Sequence, residues 1–358
     1  MGFFDKIKSA VEGAVKPQNA RMKICMMGAR GVGKTSVLTS MFHDLNAVNS
    51  GTNLQLTTMK DDQSGVDMTA HTITGKHNEL VEMFSGAAQG KSIPVAGIAG
   101  DMEERDYYFQ FGIKGKSVRI DLVVKDFPGE FLKDRPESIR QFIDDANAIV
   151  IAIDTPHLME EGGRFNEAKN CVSLVTDFIK SEFARLEDDK LVLLVPLKCE
   201  KYRYENRMDE VRSAVESTYA ELLAFLTGSG IKTHIAAAIT PIFTVGEVVF
   251  SGFARDEAGQ VRTLKNGLPA HAEYVYAKSG AKYAPLYCEQ PLCYLLAFIT
   301  KLYQRTKSND TGGFMSRLAA IFKLFPDDPQ LLLEIGKFSR RRVRDKDGYK
   351  VLCGEHLV

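Results

Sequence analysis

From Lys23 to Ser36 the chain reads Lys-Ile-Cys-Met-Met-Gly-Ala-Arg-Gly-Val-Gly-Lys-Thr-Ser, a short apolar run that enters a glycine-rich turn and leaves it as a helix. Glycine adopts backbone angles that side chains disfavour, so Gly31 and Gly33, with Gly28 opening the turn, let consecutive N–H groups curl inward around an anion. The helix that follows adds the positive end of its dipole. Lys34 is placed to reach the terminal phosphates of a nucleotide and Thr35 to hold Mg²⁺, with Arg30, Val32 and Ser36 completing the loop. The apolar spacing of Val37, Leu38, Met41, Phe42 and Leu45 supports a helix from this point on. The stretch reads as a phosphate-binding loop at a strand–helix junction.

The chain has 358 residues and a formal net charge of zero, enough length for a large core and no reason to expect a polyanionic partner. Its six cysteines contain no CxxC pair, and several fall in apolar runs, as buried thiols in a reducing compartment do. No apolar run has the length of a bilayer span, and the start lacks the pattern of a signal peptide, so the expected location is cytoplasmic. Residues 1–16 place Phe3, Phe4, Ile7, Ala10, Val11, Ala14 and Val15 on one helical face and mixed charges on the other. Such a helix must dock, and its mixed charge favours its own core or a partner over a membrane surface.

Residues 46–106 are weakly patterned, with a helix expected over 71–84 and a glycine-rich piece over 86–100. Residues 105–113 and 117–125 read as a hairpin that ends in Asp126-Phe127-Pro128-Gly129-Glu130. Strands at 148–153, 191–197 and 235–239 then alternate with helices at 165–186 and 208–226, the rhythm of a parallel sheet covered on both faces. Residues 246–289 break that rhythm as an inserted β-hairpin region, and a helix at 291–304 closes the domain. The expected organisation is thus an amphipathic helix over 1–17, one domain over 21–305 and a tail over 306–358 with two short helices and a hairpin near 345–348. The Arg340-Arg341-Arg342-Val343-Arg344 run precedes Asp345 and Asp347, so it reads as a solvated hairpin edge rather than a nucleic-acid surface.

Phosphate loop, hairpin, Asp-x-x-Gly and strand–helix alternation form the order of parts in Ras-like, translation-factor-class P-loop GTPases, and this sequence resembles that class from about residue 22 to 304. The Pro196-Leu197-Lys198-Cys199-Glu200-Lys201-Tyr202 and Cys288-Glu289-Gln290-Pro291 phrases look most like the bacterial GTPases of conflict or defence gene clusters. The resemblance implies a three-layer α/β fold, a mostly parallel sheet with one antiparallel hairpin strand, plus the β insertion and an α+β tail. It implies GTP or GDP with Mg²⁺ as cofactors, Thr35 and Asp126 as metal ligands, and Lys198 and Glu200 at the base-recognition motif.

The departures from that pattern carry as much information. Leu197 and Glu200 replace the Asn and Asp of the base motif, although a glutamate still offers acceptors to the guanine N1 and N2 donors. The threonine expected to cover the γ-phosphate is missing, since Gly97-Ile98-Ala99-Gly100 occupies its place and Thr69, Thr72 and Thr74 lie upstream. Arg30 stands where a small residue is usual, either charging the γ-phosphate or pointing to solvent. Glu130 stands where a water-orienting Gln is usual, and either holds the attacking water or swings away from the phosphate charge. The expectation is a slow GTPase acting as a switch in a protein assembly, with a protein partner supplying an arginine. The rival readings are an ATP-dependent phosphotransferase or ATPase and a nucleotide-binding scaffold without turnover.

Overall fold

The structure, a computed structural model, describes residues 20–46, 51–60, 65–85, 93–95, 105–117, 119–128, 137–184, 188–228, 230–308 and 319–358. In chain order its strands are β1 (Arg21–Gly28), β2 (Leu54–Thr58), β3 (Ile93–Val95), β4 (Arg105–Ile113), β5 (Arg119–Pro128), β6 (Ala148–Asp154), β7 (Lys190–Leu197), β8 (Ile235–Ile239), β9 (Val248–Phe253), β10 (Ala272–Tyr276) and β11 (Lys350–Cys353). The main sheet has the order β11-β8-β7-β6-β1-β5-β4-β2. Its centre is parallel, from β5 through β1, β6 and β7 to β8. β4 returns antiparallel to β5, β2 pairs antiparallel with β4, and β11 closes the other edge antiparallel to β8. This is the mostly parallel P-loop α/β architecture expected above, with two edge strands that the sequence pattern did not announce.

Strands covered on both faces must be apolar at every position, and β7 shows how the two sides are served. Leu191, Leu193, Val195 and Leu197 enter one core while Val192 and Leu194 enter the other, following the two-residue period of a strand. The first core is shared with the helices Lys34–Asn46, Gln290–Ser308 and Pro329–Ser339, the second with Glu137–Asp145, Val172–Phe183 and Ala220–Leu226. Burying each large aliphatic side chain contributes roughly 1.5–3 kcal/mol, so these central strands outweigh any local propensity in placing the layers.

The helix expected over 165–186 is interrupted. Cys171 takes a left-handed conformation, φ +50°, between Asn166–Asn170 and Val172–Phe183. The break accompanies a tertiary bond: the buried Asn170 side chain accepts from the Asp154 amide at 2.8 Å and donates to the Asp154 carbonyl at 3.2 Å. Beyond the main sheet, β3, β10 and β9 form a second small antiparallel sheet with its own cluster of Phe165, Val248, Phe250, Phe253, Val261 and Tyr274.

The C-terminal segment behaves differently from the hairpin read in the sequence. Asp345, Asp347 and Gly348 turn with positive φ, but the strand they deliver pairs with β8, Lys350 opposite Ile239, rather than with its own tail. An uncovered β8 would leave a row of backbone groups unpaired, and β11 satisfies that edge. Tyr349, fully buried, donates to the Pro241 carbonyl at 2.7 Å. The arginine run before it is a loop strapped to the helix Gln290–Ser308: Gln290 accepts from the Val343 amide at 2.8 Å and Tyr294 donates to the Val343 carbonyl at 2.7 Å. No helix among the described residues is long and apolar enough to cross a membrane. The amphipathic helix expected over 1–16 lies outside the described residues.

Candidate functional site

β1, β5, β6, β7 and β8 all end at one edge of the sheet, where open α/β sheets bind ligands. β1 runs into the glycine turn, with Gly31 at φ +71° and Gly33 at φ +114°, a curvature that residues with a Cβ rarely adopt. Val32 is fully buried and anchors the loop in the core beneath it. Parallel pairing sets Met26 opposite Asp126 and Gly28 opposite Pro128, so the strand register itself carries Asp126 to the loop. Lys34, 7 % exposed, donates to the carbonyls of Gly28 and Ala29, the latter at 3.2 Å, and lies 3.3 Å from Asp126 Oδ1. Burial pushes the Asp126 carboxyl up from its ordinary range, and the Lys34 and Arg105 charges oppose that rise.

The oxygens at this end fit a Mg²⁺ ion. Asp126 Oδ1 is buried with the Lys34 ammonium as its counter-charge, and it supplies a hard oxygen donor of the kind Mg²⁺ takes. The Thr35 hydroxyl sits 3.4 Å from the phenol of Tyr107, which β4 contributes. Lys169, on the short helix Asn166–Asn170, reaches across and donates to the Arg30 carbonyl at 2.7 Å. The Arg30 side chain itself is exposed.

At the other end, Lys198 directly follows β7 in a left-handed conformation, φ +58°, sparsely populated for a residue with a Cβ. Its ammonium overdetermines that geometry by donating to the Gly31 carbonyl and to Asp154 Oδ2, each at 2.7 Å. Asp154 is fully buried at the end of β6, and its other oxygen lies 2.6 Å from His157 Nδ1. Burial alone would raise the Asp154 carboxyl, yet the charges of Lys198 and His157 hold it well below the usual carboxylate range. Glu200, 2 % exposed, accepts from the Val245 amide at 3.3 Å in the loop after β8. Burial pushes its carboxyl up to about 7, against the pull of the backbone donors and Lys198.

These two ends open into one cavity of about 980 Å³. Of the residues expected from the sequence, Arg30, Gly31, Val32, Gly33, Lys34, Thr35, Ser36, Asp126, Lys198 and Glu200 all line it. Gly28 lies beneath them and contributes its carbonyl to Lys34. Glu130 and residues 97–100 lie outside the described residues. Thr72, far upstream of the expected switch position, stands in the wall on the helix Met68–Ser85.

Sequence reasoning missed Tyr107, His157 and Lys169, as well as Phe253 and Tyr274 of the insertion, all of which line the cavity, and Asp154 behind Lys198. One signal was available for Asp154. It ends an apolar strand as Asp126 does, at the sheet edge where ligands bind.

No protein-family model matches the sequence, and a search of the curated proteins finds no match. Among solved structures the chain is similar to the signal recognition particle receptor SRb-GTP/SRX complex from Chaetomium thermophilum, at 14 % identity and TM-score 0.32, covering 63 % of this chain and 92 % of that one. It is also similar to the S. cerevisiae Ski7 GTPase-like domain bound to GTP, at 13 % identity and TM-score 0.34, covering 68 % of this chain and 45 % of that one. The assignment to the P-loop α/β fold rests on this chain's own sheet order and on the position of its glycine turn between β1 and the helix Lys34–Asn46.

Proposed function

We infer that this protein is a guanine-nucleotide-binding P-loop protein of the Ras-like kind, which hydrolyses GTP slowly and works as a switch with a protein partner. The observation that carries the reading is the Lys198 ammonium bonded at once to the Gly31 carbonyl of the phosphate loop and to Asp154. It ties the residue at the expected base motif directly to the expected phosphate loop.

Each end of the cavity then has its chemistry. The loop N–H groups and the helix N-terminus receive the phosphates, and Lys34 exchanges its carbonyl partners for phosphate oxygens. Thr35 and Asp126 would hold Mg²⁺, which when bound neutralises charge on the phosphates. The carboxylate of Glu200 accepts from the N1 and N2 donors of guanine. Hydrolysis needs further positive charge on the γ-phosphate and an oriented water. Arg30 and Lys169 stand beside the loop, and an arginine brought by a partner completes the charge, a contribution of about 10³–10⁵ in rate where such arginines operate.

Calorimetric titration of the full chain with GDP, a non-hydrolysable GTP analogue and an ATP analogue, each with and without Mg²⁺, tests the reading. A Mg²⁺-dependent preference for the guanine nucleotides is expected. Equal affinity for the ATP analogue sinks the guanine assignment and leaves an ATP-using phosphotransferase in its place.

A further inference from the structure

We propose that Tyr274, on the inserted strand β10, is a specificity-determining residue that donates a hydrogen bond to O6 of a guanine held by Glu200. The inference rests on the guanine reading above and assigns to the insertion a part of the base site that the base motif itself does not supply.

Guanine presents an N1–H and an N2 amine beside the O6 acceptor, so a site that accepts with a carboxylate needs a donor next to it. The neighbouring groups at this end are apolar or already engaged. The Leu197 side chain is apolar and buried in the core. In the loop after β8, the Val245 and Gly246 amides are engaged by the Glu200 carboxylate. Lys198 is held by Gly31 and Asp154.

Tyr274 remains. It is 8 % exposed, lines the same cavity as Lys198 and Glu200, and its phenol makes no hydrogen bond to any described residue. The register of β10 against β9 shifts between Glu273 and Tyr274, and a bulge of this kind re-aims the side chain beside it. Burial raises the phenol well above its ordinary range, with the carboxylates of Asp154 and Glu200 adding to the rise and Lys198 opposing it, so the group stays an O–H donor at neutral pH.

The insertion is also held firmly enough to serve. The Phe253 and His157 rings meet edge to face at 4.9 Å, the Lys201 ammonium lies 5.5 Å from the Phe250 ring centre, and Arg255 pairs with Glu161. Each contact joins the small sheet to residues at the ends of β6 or β7, which is where the base end begins. Adenine in the same position turns its unprotonated N1 toward the Glu200 carboxylate, and a site built of hydrogen-bonding groups rejects such a mismatch strongly.

The test is calorimetry on the full-length wild type and on Tyr274→Phe, with GDP, IDP and ADP in Mg²⁺. The variant should bind GDP and IDP about tenfold more weakly, since both bases carry O6, and ADP as before, which also reports an intact fold. GDP affinity within twofold of a wild type that prefers GDP to ADP overturns the proposal while sparing the guanine reading. A wild type with no such preference overturns both. A variant that loses ADP as well has a structural tyrosine, which also overturns it. On the unaltered protein, 6-thio-GDP should bind several-fold more weakly than GDP, because sulfur is a weak acceptor, and equal affinities count against the donor.

Discussion

At the glycine-turn end of the cavity, residues 28–36 supply the turn, the lysine and the threonine in one unbroken stretch, and Asp126, Tyr107 and Lys169 join it from elsewhere. At the base end nothing is contiguous: Lys198 meets Asp154 across 44 positions and Gly31 across 167, and Glu200 meets Val245 across 45. The first end is a local backbone shape and the second a meeting of strand ends. Damage to the first should therefore cost ligand while the fold survives. Damage to the second should cost more stability, because Asp154 is fully buried and its carboxyl is held well below the usual range by its partners.

The largest effect is expected at Lys34. Replacing it with alanine removes charge-assisted bonds to two phosphates, about 3–6 kcal/mol together and so on the order of 10²–10⁴ in affinity. Asp126 loses its Lys34 partner, but burial already raises its carboxyl toward the neutral form and Arg105 stays beside it, so the urea midpoint of the apoprotein should fall less than for a break at the other end. Retained tight nucleotide binding in a folded Lys34→Ala chain would break the comparison at its stronger end.

Asp154→Ala is the matching test at the base end. It leaves the Lys198 ammonium without its buried partner, and breaking such a pair costs about 3–5 kcal/mol, with the lower figure apt because Lys198 keeps 25 % of its side chain exposed. Urea unfolding of the apoprotein reads this directly. A loss under about 1 kcal/mol would mean that the two ends are not built differently after all.

Glu200 sharpens the contrast through pH. Its carboxyl, raised by burial from 4.5 to about 7, binds more protons folded than unfolded, so its contribution to apoprotein stability falls as pH rises through that window. Guanine needs the ionised form, so affinity moves the other way. GDP affinity measured relative to ADP should drop about tenfold for each pH unit below 7, and Glu200→Gln should flatten that profile.

The smallest effect is expected at the rim of the insertion. Arg255 and Glu161 form a half-exposed ion pair, worth less than about 1 kcal/mol, so Arg255→Ala should barely change melting temperature or GDP affinity. A large loss of guanine binding there would show that the small sheet is held by charge rather than by the Phe250 and Phe253 contacts.

The residues 23–36 by themselves determined the glycine turn and the helix that leaves it, because glycine spacing and a helix start are properties of neighbouring residues. The apolar runs of β6, β7 and β8 likewise declared a parallel sheet, since burial on both faces leaves no polar alternation to obscure it. Only the tertiary structure decided that β11 would leave its own tail for the edge of β8, where unpaired backbone groups outweighed the local turn. It alone brought Asp154 under Lys198 and Tyr274 into the cavity that Glu200 lines, because contacts between strand ends follow from sheet order and register, which no window along the chain contains.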